Sequence, residues 1–330
     1  MRRQAPVQNN VINNASNQRI SGGNLRATRR IPDASSFQNF DRKIYPKYTS
    51  GAKIVDKSII ESNKCSFNGG WIVKKNGRFE SVVDDLNDCE LLNIFRYSND
   101  PLGYSTIAVK SVSIEGRLQE FKGIVIENHE DPRIFVYKDE LYFSASQIFD
   151  VNGIKVTKIK LYKLNDSYKP VEEYFINVGN NNMSSLDWEK NWIFFQKDDE
   201  LCFVYSLNPF IIFNSNKELK MWQEWRWIDH VHLRGGSNPV FIENNFYMFA
   251  HIKTHDYKYR MIIMQFNDKL LLIKRSNILD TLGNFDIVFP MGLIFVVNEQ
   301  KFYLISGVDD REQYIVSFTK QEVDGLLIDI

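Results

Sequence analysis

The densest chemistry in this chain sits in five consecutive residues, His129-Glu130-Asp131-Pro132-Arg133, which feed the apolar run Ile134 to Tyr137. Two acids, an imidazole and a guanidinium ahead of a buried strand have two readings. They form a turn held by ion pairs, with Asp131 capping it and pairing with Arg133, or they form the lip of an active site. Polar groups stand ahead of other apolar runs in the same way: Asn68 before Gly69-Gly70-Trp71, Glu189-Lys190 before Asn191-Trp192, and Arg234-Gly235-Gly236-Ser237 before Asn238-Pro239-Val240. Ser206, Asn208 and His251 lie where later strands return toward the same end. A carboxylate, cations, a histidine and aromatic walls (Tyr97, Trp188, Trp192) suit a sugar, whose hydroxyls need directional partners and whose ring faces need stacking. Making or breaking a glycosidic bond needs a carboxyl group at the bridging oxygen, with a raised pKa when it acts as the acid.

These residues are positioned by a repeated element. The pattern of apolar run, tight polar turn and aromatic run occurs at 70–79, 134–146, 191–206, 238–251 and 292–306. Copies recur every ~45 to 65 residues, close to the periods of propellers and solenoids. Five hairpins with further strand signal between them predict an all-β fold, a five-bladed β-propeller over residues 46–330. Outer strands of the first blade are expected at 92–98 and 105–109, and the alternation of 156–164 predicts a half-exposed strand. In a propeller, residues just ahead of equivalent inner strands converge on one axis. That expectation gathers Asn68, Glu130-Asp131, Glu189-Lys190, Arg234 to Ser237 and Phe289-Pro290-Met291 at one mouth. Each has a plainer reading as well: Lys190 a solvated cation beside Glu189, Gly235-Gly236 a turn needing positive φ, His251 a satisfied core histidine.

Residues 1–45 differ in kind. They are rich in Asn, Ser and Arg, with six arginines before the first acid, Asp33, and no aromatic residue before Phe37. This composition predicts a disordered or extended tail, read as a solvated leader or as a tether to an acidic partner. The net charge of zero argues against a dedicated nucleic-acid binder. Three cysteines without metal-ligand spacing give neither a disulfide framework nor a metal site. His129, Glu130, His230 and His232 are metal-ligand types, but their spacing fits no familiar pattern, so no metal and no cofactor are expected. No run approaches the ~20 apolar residues of a membrane span. The opening residues carry charge without an apolar core behind them, unlike a secretory signal, and a cytoplasmic location is expected.

The motifs His129-Glu130-Asp131-Pro132-Arg133-Ile134, Glu189-Lys190-Asn191-Trp192, Tyr205-Ser206-Leu207-Asn208-Pro209, Leu233-Arg234-Gly235-Gly236-Ser237 and Phe249-Ala250-His251 together resemble the five-bladed propellers of glycoside hydrolase family 130. That family contains β-mannoside phosphorylases and hydrolases, and the related glycosyltransferase family 108 transfers mannose on the same scaffold. The resemblance covers about residues 60 to 320. It implies an inverting enzyme that makes or cleaves β-mannosidic bonds, with Asp131 as general acid. It further implies that Lys190, Arg234 and His251 bind an anion or sugar, and that Asn68, Arg96 and Arg133 lie at sugar-contacting positions. The substrate implied is a sugar, a sugar phosphate or a nucleotide sugar. One departure stands out: the phosphorylases carry an arginine just before the proline at 209, where this chain has Asn208. Losing a bidentate phosphate partner weakens phosphorolysis relative to transfer or hydrolysis. A non-catalytic glycan- or protein-binding propeller is the alternative of a different class.

Overall fold

The computed structural model describes residues 53–58, 65–98, 106–112, 118–151, 154–176, 190–225, 232–254, 256–279, 285–309 and 312–330, some of them by backbone alone. The expected tail, Trp188, Glu189, His230 and the side chain of Tyr97 lie outside what is described. A first strand, β1 (Lys53–Ser58), precedes the first blade, which is built from β2 (Cys65–Lys75), β5 (Glu90–Ser98), β6 (Thr106–Val112) and β7 (Leu118–Glu127). Between β2 and β5 come two short strands, β3 (Arg78–Glu80) and β4 (Val82–Val83). The second blade is β8 (His129–Tyr137), β9 (Glu140–Val151), β10 (Ile154–Leu164) and β11 (Pro170–Phe175). The third is β12 (Ile193–Lys197), β13 (Glu200–Leu207), β14 (Phe210–Asn214) and β15 (Leu219–Gln223).

In the fourth blade β16 (His232–Arg234) and β17 (Val240–Ile242) both pair with β18 (Asn245–Lys253), followed by β19 (Tyr259–Asn267) and β20 (Leu272–Ser276). The fifth holds β21 (Val288–Val296), β22 (Lys301–Val308) and β23 (Glu312–Thr319), with β1 added outside β23. An early strand completing the last blade ties the start of the ring to its end. A short helix, α1 (Lys320–Leu326), opens on a capping box between Thr319 and Glu322 and leads into β24 (Leu327–Asp329), which extends the edge of blade four.

The five seams between blades account for the core. Each holds its own apolar cluster. Ile72 and Ile94 pack with Ile134 and Phe143 between blades one and two, and Phe135 with Trp192 and Phe203 between two and three. Ile193 and Phe210 meet Met248 and Met264 between three and four, while Phe249 meets Leu293 and Phe318 between four and five. Trp71 and Leu91 against Ile305 and Ile315 close the ring between five and one. Both faces of every blade are therefore apolar, which is why the strands read as near-continuous hydrophobic runs.

Two details differ from the expectation. The first repeat was expected to form its hairpin between Gly70–Lys75 and Arg78–Phe79. In the structure β3 is three residues long and flanks β2, while β5 takes the second place in the blade. The aromatic run there is one residue, Phe79, too short to fill a core face. The fourth inner strand is broken into β16 and β17 by Gly235 to Pro239.

Candidate active site

Inner strands approach one another closely at the axis, and a regular strand would aim its side chains into the seams instead. The chain resolves this with β-bulges. Register slips between Phe67 and Gly69 in β2, between Glu130 and Arg133 in β8, and between Pro290 and Gly292 in β21. Bulges re-aim side chains and recur beside active sites. Asn68 and Asp131 sit at two of these bulges with φ of 42° and 51°, and Asn191, just ahead of β12, has φ of 65°. Asn and Asp tolerate this left-handed region best among residues with a Cβ. Gly235 and Gly236 are not in it. Their role is close approach: a Cβ on Gly235 would lie 2.1 Å from the Asn191 carbonyl oxygen and 2.7 Å from Ile193 Cγ1.

The bulges bring Asp131 to a cavity of about 270 Å³ at one end of the axis, lined also by Lys190, Arg234 and His251. That is near the lower end of small-molecule sites, ~300 Å³. Asp131 Oδ1 accepts a 3.0 Å hydrogen bond from Asn68 Nδ2. Burial pushes the carboxyl upward in pKa, but the Lys190, Arg96 and Arg133 cations and the Asn68 bond more than offset it. The group is held below the ordinary carboxylate range. This reverses the raised pKa that the sequence reading attached to an acid.

Glu130, the neighbouring acid, points elsewhere. It bridges Arg96 at 3.1 Å and Lys190 at 2.8 Å, tying blades one, two and the entry to three together and holding the Lys190 ammonium near Asp131. Arg133 does not pair with Asp131 across a turn. Its side chain is 3% exposed. The guanidinium donates to the carbonyl oxygens of Gly236 and Gly235 and, at 2.7 Å, to Asn191 Oδ1, and it contacts Met291 Sδ at 3.6 Å. One residue of blade two thus staples blades three, four and five. Asn68, Arg96 and Arg133, expected at sugar-contacting positions, do not line the cavity; Asn68 and Arg133 bond to the lining residues Asp131 and Asn191, and Arg96 acts through Glu130 on Lys190.

His251 is buried, with its ring centroid 4.0 Å from that of Phe289. Burial, aided by the Arg133 and Arg234 cations, pushes its pKa down to about 3. The ring is neutral at working pH. Its Nδ1–H donates to Gly235 O at 2.9 Å, so Nε2 carries the lone pair and can accept from a hydroxyl. His129 is different in kind. Its Nδ1–H donates to Glu127 O and its Nε2 accepts from the Tyr162 hydroxyl, both at 2.6 Å, so neither nitrogen is left for a metal. Among the described residues no group of three or more His, Cys, Asp or Glu is placed to hold one.

Trp192 is not an aromatic wall. It is 2% exposed and stacks on Phe203 in the seam. The rings at the cavity are Tyr259 and Phe289. Also missed were His232, considered only as a metal ligand, and Lys253, both lining the cavity. Lys253 follows His251 by two in β18, so the strand period alone places it on the same face. His232 and Tyr259 reach that face as cross-strand partners of Lys253.

No family model and no curated protein sequence matches this chain. Solved structures do. A β-1,2-mannobiose phosphorylase from Listeria innocua in complex with β-1,2-mannobiose is 16% identical, with a TM-score of 0.57 over 86% of this chain and 98% of its own. MPT-1, a GDP-Man-dependent mannosyltransferase from Leishmania mexicana, is 12% identical, with a TM-score of 0.54 over 85% and 92%. A glycosyl hydrolase from Bacteroides ovatus is 14% identical, with a TM-score of 0.55 over 79% and 85%. At such identities the likeness is one of fold: the chain is a five-bladed β-propeller of the architecture shared by these structures.

Proposed function

We propose that this protein is an inverting glycosyltransferase that forms β-mannosidic bonds, with Asp131 at the reacting oxygen. The observation that carries the reading is a single carboxylate at the floor of the cavity, held ionised beside a cationic wall. Retaining chemistry uses two carboxyl groups ~5 to 5.5 Å apart. Asp131 is the only carboxylate among the described lining residues, and Glu130 is committed to Arg96 and Lys190. A carboxyl of lowered pKa is ionised at neutral pH, so it stands ready to accept a proton rather than to donate one. In the synthetic direction the acceptor hydroxyl attacks the anomeric carbon and its proton passes to Asp131. The bond to the leaving-group oxygen breaks with its electron pair, and the negative charge that results is stabilised by Lys190 and Arg234. In the cleavage direction the same carboxyl, once protonated, is the acid expected from sequence.

Mannose as the transferred sugar draws support from the mannobiose phosphorylase and the mannosyltransferase that share the fold. Asn208 is exposed and does not line the cavity, so this chain places no arginine there for orthophosphate. The test is to incubate the protein with mannose 1-phosphate or GDP-mannose and mannosyl acceptors, with and without phosphate, and read the product's anomeric configuration by proton NMR. A β-mannoside from an α-linked donor is expected. A retained configuration, or tight sugar binding with no turnover, would overturn the reading in favour of a different mechanism or of a binding module.

A further inference from the structure

The ring treats its outer edges unequally. Blades four and five have theirs covered by an extra strand, β24 beside β20 and β1 beside β23. Blades two and three end on β11 and β15, and no further strand pairs with either among the described residues. An open edge presents a row of unpaired N–H and C=O groups, and monomers usually blunt it with charge. Here the charges are neutralised in place: Glu172 and Glu173 on β11 pair with Lys163 and Lys160, and Lys220 on β15 pairs with Glu200.

What these two edges present to solvent is apolar. Of the eleven large hydrophobic side chains exposed among the described residues, five lie on β11 and β15: Val171, Tyr174, Phe175, Leu219 and Trp222, each 43% to 56% exposed. The described side chains of β7, the outer strand of blade one, include none. Cross-strand partners share a face, so the register gives the direction of each. Tyr174 pairs with Leu161 and Leu219 with Phe213, and both partners belong to the seam between blades two and three. Met221 packs into the seam between three and four, so Trp222, the next residue, faces blade two. Tyr174, Leu219 and Trp222 therefore line the outer mouth of one seam, while Phe175 takes the other face of β11.

Half-exposed side chains of this size offer roughly 100 Å² each, so the five offer about 500 Å². That lies toward the top of the range for the largest patch on a monomer, about 300 to 600 Å². Doubled by a two-fold axis it gives about 1,000 Å², the threshold of a specific interface, before any polar rim is added. A peptide strand laid on one edge covers one of the two strands, whereas an isologous partner covers both. We propose that the outer edges of blades two and three form a self-association surface, occupied by a second copy of this chain in a two-fold dimer. Trp222 and Tyr174 are its anchors. None of the five residues lines the cavity at Asp131, so the dimer and the transferase reading stand or fall separately.

The experiment is sedimentation velocity of the full chain from about 1 to 100 µM, in about 0.5 M salt to suppress association through charge. It is repeated on Trp222→Lys and Tyr174→Lys, with Ile328→Lys, an exposed residue of β24 on blade four, as the control. The unmodified protein should dimerise within this range. Trp222→Lys and Tyr174→Lys should each raise the dissociation constant by about 30-fold or more, and Ile328→Lys should leave it within about twofold. Amide hydrogen exchange of the unmodified protein at the two ends of the range is a second readout that depends on no variant. Added protection at the higher concentration should fall in residues 170–175 and 219–223. A monomer throughout the range would overturn the surface. So would a dimer that both lysine variants on β11 and β15 leave intact, or concentration-dependent protection confined to other strands.

Discussion

Lys110 offers a quantitative test of the ring's construction. It lies in β6, 1% exposed, facing the seam that joins the first blade to the last. Its Nζ has no hydrogen-bond partner among the described residues and sits 4.5 Å from the centroid of the Phe95 ring. Burial pushes its pKa down from 10.5 to about 7. The unfolded chain binds a proton between pH 7 and 10.5 that the folded chain has released. Stability therefore rises with pH across that window, and the penalty is fully present below pH 7. A gap of 3.5 units corresponds to about 5 kcal/mol, at 1.36 kcal/mol per unit. The cation–π contact with Phe95 returns up to about 2 kcal/mol of this. Replacing Lys110 by Met keeps the unbranched stem and deletes the charge. Urea unfolding at pH 7 should find Lys110→Met more stable than the unmodified protein by about 2 to 4 kcal/mol. Between pH 7.5 and 9.5 the unmodified protein should gain close to 1.4 kcal/mol per pH unit while the variant stays flat. A variant destabilised at pH 7, or an unmodified protein whose stability ignores pH in this window, would refute the reasoning.

Two other perturbations probe the site's supports. Lys190→Met removes the strongest of the influences that lower the Asp131 pKa, so the acidic limb of the pH–rate profile should move upward, and an unmoved limb would show that Lys190 does not face Asp131. Arg133→Met leaves the Gly235 and Gly236 carbonyls and Asn191 Oδ1 without their donor, so the melting temperature should drop by an amount equivalent to about 3 to 5 kcal/mol. Unchanged melting of that variant would mean the guanidinium is not the staple described above.

Much of the fold was legible because propeller strands are short, apolar and evenly spaced. The hairpins 134–146, 191–206, 238–251 and 292–306 each stand out by their turn residues, among them Lys138-Asp139 and Asp198, all three at positive φ. The first repeat misled because Arg78-Phe79 has the turn of a hairpin without the length of a strand. At the site, Asp131, Lys190 and Arg234 were reachable from one rule, that residues ahead of equivalent strands meet at the axis, and His251 from its companion, that the returning strand of a blade ends near the same mouth. What the rule could not do was assign direction. Arg133 lies two residues from Asp131 and Asn68 at an equivalent strand start, yet Arg133 reaches across to Asn191, Gly235 and Gly236 and Asn68 to Asp131 of the next blade. His232 and Tyr259 depend on cross-strand register, which spacing along a single chain does not reveal. Trp192 was misjudged for a related reason: an aromatic residue at the start of an inner strand can face the axis or the seam, and only the pleat decides.

The account stands or falls on the Asp131 carboxylate. Asn at this position keeps an oxygen to accept the Asn68 hydrogen bond, so the fold should survive and only the proton acceptor is lost. The measurement is kcat for mannosyl transfer by Asp131→Asn against the unmodified protein, at a pH above the acidic limb. Loss of general-base catalysis predicts a fall of about 10²- to 10⁴-fold with donor binding retained. Turnover undiminished in a folded Asp131→Asn protein would contradict the central claim.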